Sequence, residues 1–165
     1  MGFELDSKRG VLNHYGPRTT DQKFGGEICD EVIKTVQWTF DYNDLPTGAT
    51  NKLGYSIPAN STILMAKLQI IDAFTSTSTT TDLLVGLEQA DGTDIDLDGL
   101  ITAAQATQTT IAVANSIIDG ASGTPAALIG TTIGTAAGEL IVTSSAADLT
   151  AGKARLIVQY LNRGL

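Results

Sequence analysis

Asp94-Ile95-Asp96-Leu97-Asp98-Gly99 places three carboxylates at alternate positions ahead of a glycine. Calcium loops open in this way, because a divalent cation takes its oxygens from alternate residues around a tight turn. Ile101 falls where such loops keep an aliphatic side chain. The twelfth position, however, is Gln105, an amide that cannot supply the closing bidentate carboxylate. No helical pattern leads into the segment. The favoured reading is a strand edge with Ile95 and Leu97 inward, the aspartates outward and Asp98 as a helix cap, so no metal is expected.

Other catalytic chemistry finds little support. Acidic residues abound, but no pair of carboxylates is set apart as acid and base. A nucleophile would need His14 beside Cys29 or a serine, and His14 sits in a glycine-broken stretch that cannot hold a base in place. Gly130-Thr131-Thr132-Ile133-Gly134 lacks the lysine and spacing of a phosphate loop. Trp38 reads first as a core residue and second as a stacking platform for a sugar or base. The chain is therefore read as a non-enzyme with no cofactor.

The elements that would carry any site divide near residue 31. Residues 1–30 hold four of the ten basic residues, Lys8, Arg9, Arg18 and Lys23, among Phe3, Tyr15, Phe24 and several glycines. Gly10, Gly16-Pro17 and Gly25-Gly26 cut this stretch into short pieces. Phe3, Leu5, Val11, Leu12, Tyr15 and Phe24 favour an arm that becomes ordered on a partner over a solvated tail. The expected division is an extended arm at 1–30 and a β-sandwich body at 31–165.

The body reads as short strands. In EVIKTVQWTFDY (31–42), Val32, Val36, Trp38, Phe40 and Tyr42 share one face. In 62–74, Leu64, Ala66, Leu68 and Ile70 share another. Thr75 to Thr81 is expected as an exposed hairpin tip, and Asp91-Gly92 as a turn. Strands are expected over 82–88, 109–118, 127–133, 139–143 and 154–161, with two turns of helix over 99–107. About eight strands with little helix mean an all-β sandwich or barrel. At 42% hydrophobic and 5% aromatic, the core should be mostly Leu, Ile, Val and Ala.

Charge narrows the partners. The net charge is −8, and between Lys67 and Lys153 there are ten acidic residues and no basic one. Such a body repels a duplex and an acidic membrane surface alike, so neither is an expected partner. The single cysteine, Cys29, excludes an intrachain disulfide and fits assembly in a reducing cytoplasm. The start, MGFELDSKRG, has no apolar core of roughly 7–15 residues, so no secretory leader is expected there.

Val11-Leu12-Asn13-His14-Tyr15-Gly16-Pro17-Arg18 followed by Lys23-Phe24-Gly25-Gly26 resembles the start of capsid decoration, or cement, proteins of tailed bacteriophages. The resemblance continues in Ser56-Ile57-Pro58-Ala59-Asn60-Ser61-Thr62-Ile63, in Asp72-Ala73-Phe74 and in Val85-Gly86-Leu87. It ends in Gly152-Lys153-Ala154-Arg155-Leu156-Ile157-Val158-Gln159-Tyr160. It implies a jelly-roll body on the outer capsid surface of the virion, built in the host cytoplasm. It implies the major capsid protein as partner and a homo-oligomer, with a trimer favoured over a dimer. On that reading Arg9, Arg18 and Lys23 pair with capsid carboxylates, and Tyr15 and Phe24 anchor in small pockets. The alternative is a carbohydrate- or receptor-binding jelly roll, such as a head fibre or adhesin tip, using Trp38 and the run 75–81.

Overall fold

The computed structural model describes residues 33–45, 50–145 and 148–162, with the backbone of three short strands nearer the N-terminus. Those three are β1 (Asp6–Ser7), β2 (Gly10–His14) and β3 (Gly26–Cys29). They pair antiparallel with one another in the order β1-β2-β3. The rest of the described residues form a two-sheet body.

Eight strands build that body. They are β4 (Ile33–Asp41), β5 (Thr50–Ile57), β6 (Thr62–Ser76), β7 (Leu83–Glu88), β8 (Asp94–Ile101), β9 (Ile117–Asp119), β10 (Gly138–Ser144) and β11 (Leu149–Leu161). One sheet has the order β4-β11-β6-β9 and the other β5-β10-β7-β8. Counting β4 as first and β11 as eighth, these orders are 1-8-3-6 and 2-7-4-5. Only β7 and β8 follow each other within one sheet; every other connection crosses between sheets. All the pairings are antiparallel. This is a jelly-roll sandwich.

The strands form where the side chains alternate. Along β4, Thr35, Gln37 and Thr39 are exposed, Val36 and Trp38 are half-buried and Phe40 is buried. In β11, Ala154, Leu156, Val158 and Tyr160 are buried and their neighbours are not. Inward rows from both sheets meet in one core, including Ile57, Ile70, Leu87, Leu140 and Leu156. Burying each such side chain contributes about 1.5–3 kcal/mol. Trp38 packs on Tyr55 with ring centroids 5.7 Å apart, and Phe40 lies 6.5 Å from Phe74.

Several expectations fail, each for a local reason. Leu64 is 38% exposed while Ile63 is fully buried. A register shift between Gln159 and Tyr160 on β11 changes the phase of β6 here, so the inward row moves by one residue. The helix expected over 99–107 is absent, because β8 runs on to Ile101 and buries Leu100 and Ile101 completely. The helix that does form, α1 (Gln108–Ile111), starts after Thr107 and occupies part of the strand expected over 109–118. Of that span only Ile117 and Ile118 lie in a strand, at the start of β9. Residues 127–133 are turns with a single bridge, Thr62 to Thr132, rather than a strand.

The Ser/Thr run is not a hairpin tip. It carries the chain from β6 in one sheet to β7 in the other. Hydroxyls hold this crossover: Ser76 Oγ and Thr81 Oγ1 are 2.8 Å apart, and Ser78 N donates to Ser76 Oγ at 3.2 Å. Thr81 is fully buried.

Of the glycines that permit close approach, two sit at strand bulges. Residues of β8 bulge across Gly86, whose added Cβ would lie 2.0 Å from the Asp96 carbonyl oxygen. Gly152, at φ +128°, sits in a bulge of β11 over Phe74, with room of only 2.2 Å between an added Cβ and the ring. Gly152→Ala should therefore lower the unfolding free energy by roughly 3 kcal/mol, from backbone strain and overpacking together. Urea unfolding of the variant measures it; an unchanged midpoint would remove this contact from the account.

The core also holds one polar pair. The hydroxyls of Tyr55 and Tyr160 lie 2.8 Å apart, and Tyr160 is 1% exposed. Burial first, then the Tyr55 hydrogen bond, push the Tyr160 hydroxyl well above the usual tyrosine range. The unfolded chain releases this proton near pH 10, and the folded chain only above that. The stabilisation is thus complete below about pH 10 and declines as pH rises further. Tyr160→Phe should flatten the alkaline decline and cost about 1 kcal/mol at neutral pH. Melting curves from pH 7 upward check both; an alkaline decline identical to that of the parent protein would exclude Tyr160 as its source.

Candidate functional site

The acidic segment lies along β8, as the strand reading expects, but its side chains do not alternate cleanly. Ile95 and Asp96 are half-buried, and Leu97 is 36% exposed. The bulge across Gly86 breaks the phase. Asp98 N donates to Asp96 Oδ1 at 3.3 Å. Burial, then the hydrogen bond and repulsion from Asp96, raise Asp98 above the usual carboxylate range. Gln105 is engaged elsewhere: its Oε1 accepts from Thr102 N at 3.0 Å and its Nε2 donates to Gly120 O at 2.9 Å. It pins the loop after β9 rather than closing a cation site. Among the described residues no three His, Cys, Asp or Glu side chains gather as metal ligands.

A second charged group sits on the same sheet, across β5, β10 and β7. Glu88 on β7 stands directly opposite Glu139 on β10. Lys52 on β5 bridges them, with Nζ 3.0 Å from Glu88 and 2.7 Å from Glu139. The hydrogen bond to Glu139, then that to Glu88, raise the lysine above its ordinary value. One ammonium between two facing carboxylates relieves their repulsion and ties three strands together. This is a fastening, not an acid–base pair.

The surfaces that remain are apolar and lie at the two ends of one sheet. Ile33 on β4 is 56% exposed; Val113 and Ile117, around the start of β9, are 54% and 63% exposed. β4 and β9 are the outer strands of the same sheet. Val113 and Ile117 line a groove of about 580 Å³ with Gln105, Thr110, Asp119 and Ser122. Ile33, Lys34, Thr35, Val36 and Tyr55 line a shallower one of about 330 Å³. The sequence reading missed the first groove because it ran a strand through 109–118. The short helix α1 and a turn through Asn115, at φ +59°, instead lift Val113 outward.

Arg9, Tyr15, Arg18, Lys23 and Phe24, the residues expected to grip a capsid, lie outside the described residues. The strands β2 and β3 that flank most of them pair from Val11 with Cys29 to His14 with Gly26.

No protein-family model matches the chain, and no curated protein matches it. Solved structures do. The chain is similar to a chain of the capsid of Ralstonia phage GP4, with a TM-score of 0.56 and 18% identity, over 81% of this chain and 86% of that one. It is also similar to a chain of the cyanophage Pam1 capsid asymmetric unit, with a TM-score of 0.53 and 16% identity, over 78% and 84%. At these identities the finding concerns architecture: the two-sheet body of this chain has the fold of proteins found in phage capsids.

Proposed function

We propose that this protein is a structural component of a tailed-phage virion that binds the outer surface of the head and cements neighbouring major capsid subunits. The observation that carries the reading is the jelly-roll body, whose likeness to chains of two phage capsids covers about four-fifths of the sequence, 81% and 78%. The charge distribution agrees with it. A body with ten acidic and no basic residues between Lys67 and Lys153 is unsuited to touch packaged DNA and suited to an outer face.

Packaged DNA strains a shell outward, and a clamp across subunit boundaries resists their separation. The arm at 1–30 supplies the clamp. Ordering it costs roughly 1–2 kcal/mol per residue in backbone entropy, so it needs many contacts. Arg9, Arg18 and Lys23 meet carboxylates of the major capsid protein; Tyr15 and Phe24 fill pockets. Self-association brings several arms to the shell at once and multiplies weak attachments.

The alternative, a glycan- or receptor-binding jelly roll, relied on Trp38 and the run 75–81. Trp38 is half-buried against Tyr55, and the run is a hydroxyl-bonded crossover. Trp38 is thus only partly open to a ligand, while Thr75, Thr77, Thr79 and Thr80 of the run stay exposed.

Removing residues 1–30 should leave a folded body that no longer cosediments with undecorated heads of the phage that encodes it. Arg18→Ala should weaken attachment without moving the melting temperature of the free protein. Full attachment of the truncated chain would defeat the arm; a large loss of thermal stability in Arg18→Ala would make that residue part of the fold.

A further inference from the structure

The sandwich has four outer strands, and three of them are guarded against edge-to-edge pairing. β9 is only three residues long. β5 has a register shift against β10 and holds Gly54 at φ +72°. β8 has register shifts against β7 and carries three aspartates. Short length, bulges and charge are the usual means of blunting an edge.

β4 is neither short nor bulged, and its two charges, Lys34 and Asp41, stand near its ends. It is nine residues long, and its pairing with β11 runs from Ile33–Leu161 to Asp41–Lys153 without a shift. From Thr35 to Phe40 it carries neither proline nor charge. β11 occupies one side, and among the described residues no strand lies on the other. Beside that open side lies the groove of Ile33, Val36 and Tyr55. A long, regular edge, uncharged over its middle and beside a partly apolar groove, is a template for another strand.

We propose that this edge takes a second copy of the chain, β4 against β4, antiparallel about a twofold axis through Gln37. The strand is self-complementary in that register. Gln37 faces Gln37 and the two amides can bond. Thr35 faces Thr39, and Val36 faces Trp38; hydroxyl pairs and aromatic–aliphatic pairs are favourable across strands. Lys34, the one cation of the strand, stands near one end and Asp41 at the other. Antiparallel alignment sets the cationic end of each strand beside the anionic end of its mate. Parallel addition would set like ends together. The two four-stranded sheets then join into one, and a strand paired antiparallel with itself gives a closed twofold dimer rather than a trimer.

The pairing rests on the strand alone, so it is tested on the full-length protein in solution without heads. Sedimentation or light scattering should find the parent protein dimeric. Gln37 is exposed, so Gln37→Lys and Gln37→Glu should keep the parent's circular dichroism and melting. Each should weaken self-association by roughly tenfold or more, since each sets like charges directly opposite. Mixing the two variants should restore dimers, now of mixed composition. A parent protein that stays monomeric at every concentration overturns the proposal, and so does an oligomer that both substitutions leave intact. If the substitutions spare the oligomer but abolish head attachment, the occupant is a capsid strand and self-pairing is wrong. Loss of head attachment through the arm alone would leave the dimer untouched.

Discussion

The fold depends on the pairing of β11 with both β4 and β6. β11 is an inner strand of its sheet, yet it is the last of the body strands in the chain. β4, the first body strand, and β6 are therefore not joined into a sheet until the far end of the chain arrives between them. The register Leu156–Trp38 on one side and Leu156–Leu68 on the other fixes which residues face inward. A slip by one residue would turn Ala154, Leu156 and Val158 to solvent. Such long-range pairing makes for slow, cooperative folding, because the loop entropy is lost before the contacts form. It also makes a body whose two chain ends are locked together, and so one that can bear load near both.

This dependence explains where the residues were legible. β4 and the core of β11 alternate without interruption, and their period of two is visible in EVIKTVQWTFDY and in ARLIVQY. The sequence reading misplaced residues where backbone geometry, not side-chain type, sets the phase. Gly86 lets β8 bulge, and nothing in DIDLDGL announces that Leu97 will turn outward. The shift opposite Gln159 puts Ile63 rather than Leu64 inside. The stretch from Gln108 to Ile133 is rich in Thr, Ala and Gly, which satisfy helix, turn and strand about equally. There the backbone hydrogen bonds decide: Ile63 N to Thr131 O and Gly130 N to Ile63 O, at 3.0 and 2.8 Å, fasten the segment along β6.

The fold class was legible in a different way. The scattered blocks that resemble decoration proteins pointed to a jelly roll, and the strand orders 1-8-3-6 and 2-7-4-5 are that fold. The chemistry-bearing segment was read first as a strand edge, and it lies on the strand β8. Asp94, Asp96 and Asp98 look like ligands because alternate carboxylates suit a cation loop, but the same spacing arises on any strand with a polar face. Only the position of the closing ligand separates the two, and Gln105 spends its hydrogen bonds on Thr102 and the carbonyl of Gly120.

The arm proposed for residues 1–30 and the pairing proposed for β4 together have a geometric consequence. β4 begins at Ile33, directly after the arm. In a pair centred on Gln37, Ile33 of one copy stands opposite Asp41 of the other. The two arms then leave from opposite ends of the paired strands. Eight residues separate positions 33 and 41, and at about 3.4 Å per residue the exits lie roughly 27 Å apart. If the proposed arm and the proposed pair both hold, arms starting so far apart would reach different subunits instead of competing for one site. Their separation also sets the return from having two: once one arm is bound, the second is tethered by the stiff body, and its effective concentration depends on whether a site lies within that span. A rigid spacer of fixed length rewards only a lattice of matching repeat. The same sandwich on a shell of different spacing would hold by one arm at a time, however well each arm fitted its own pocket.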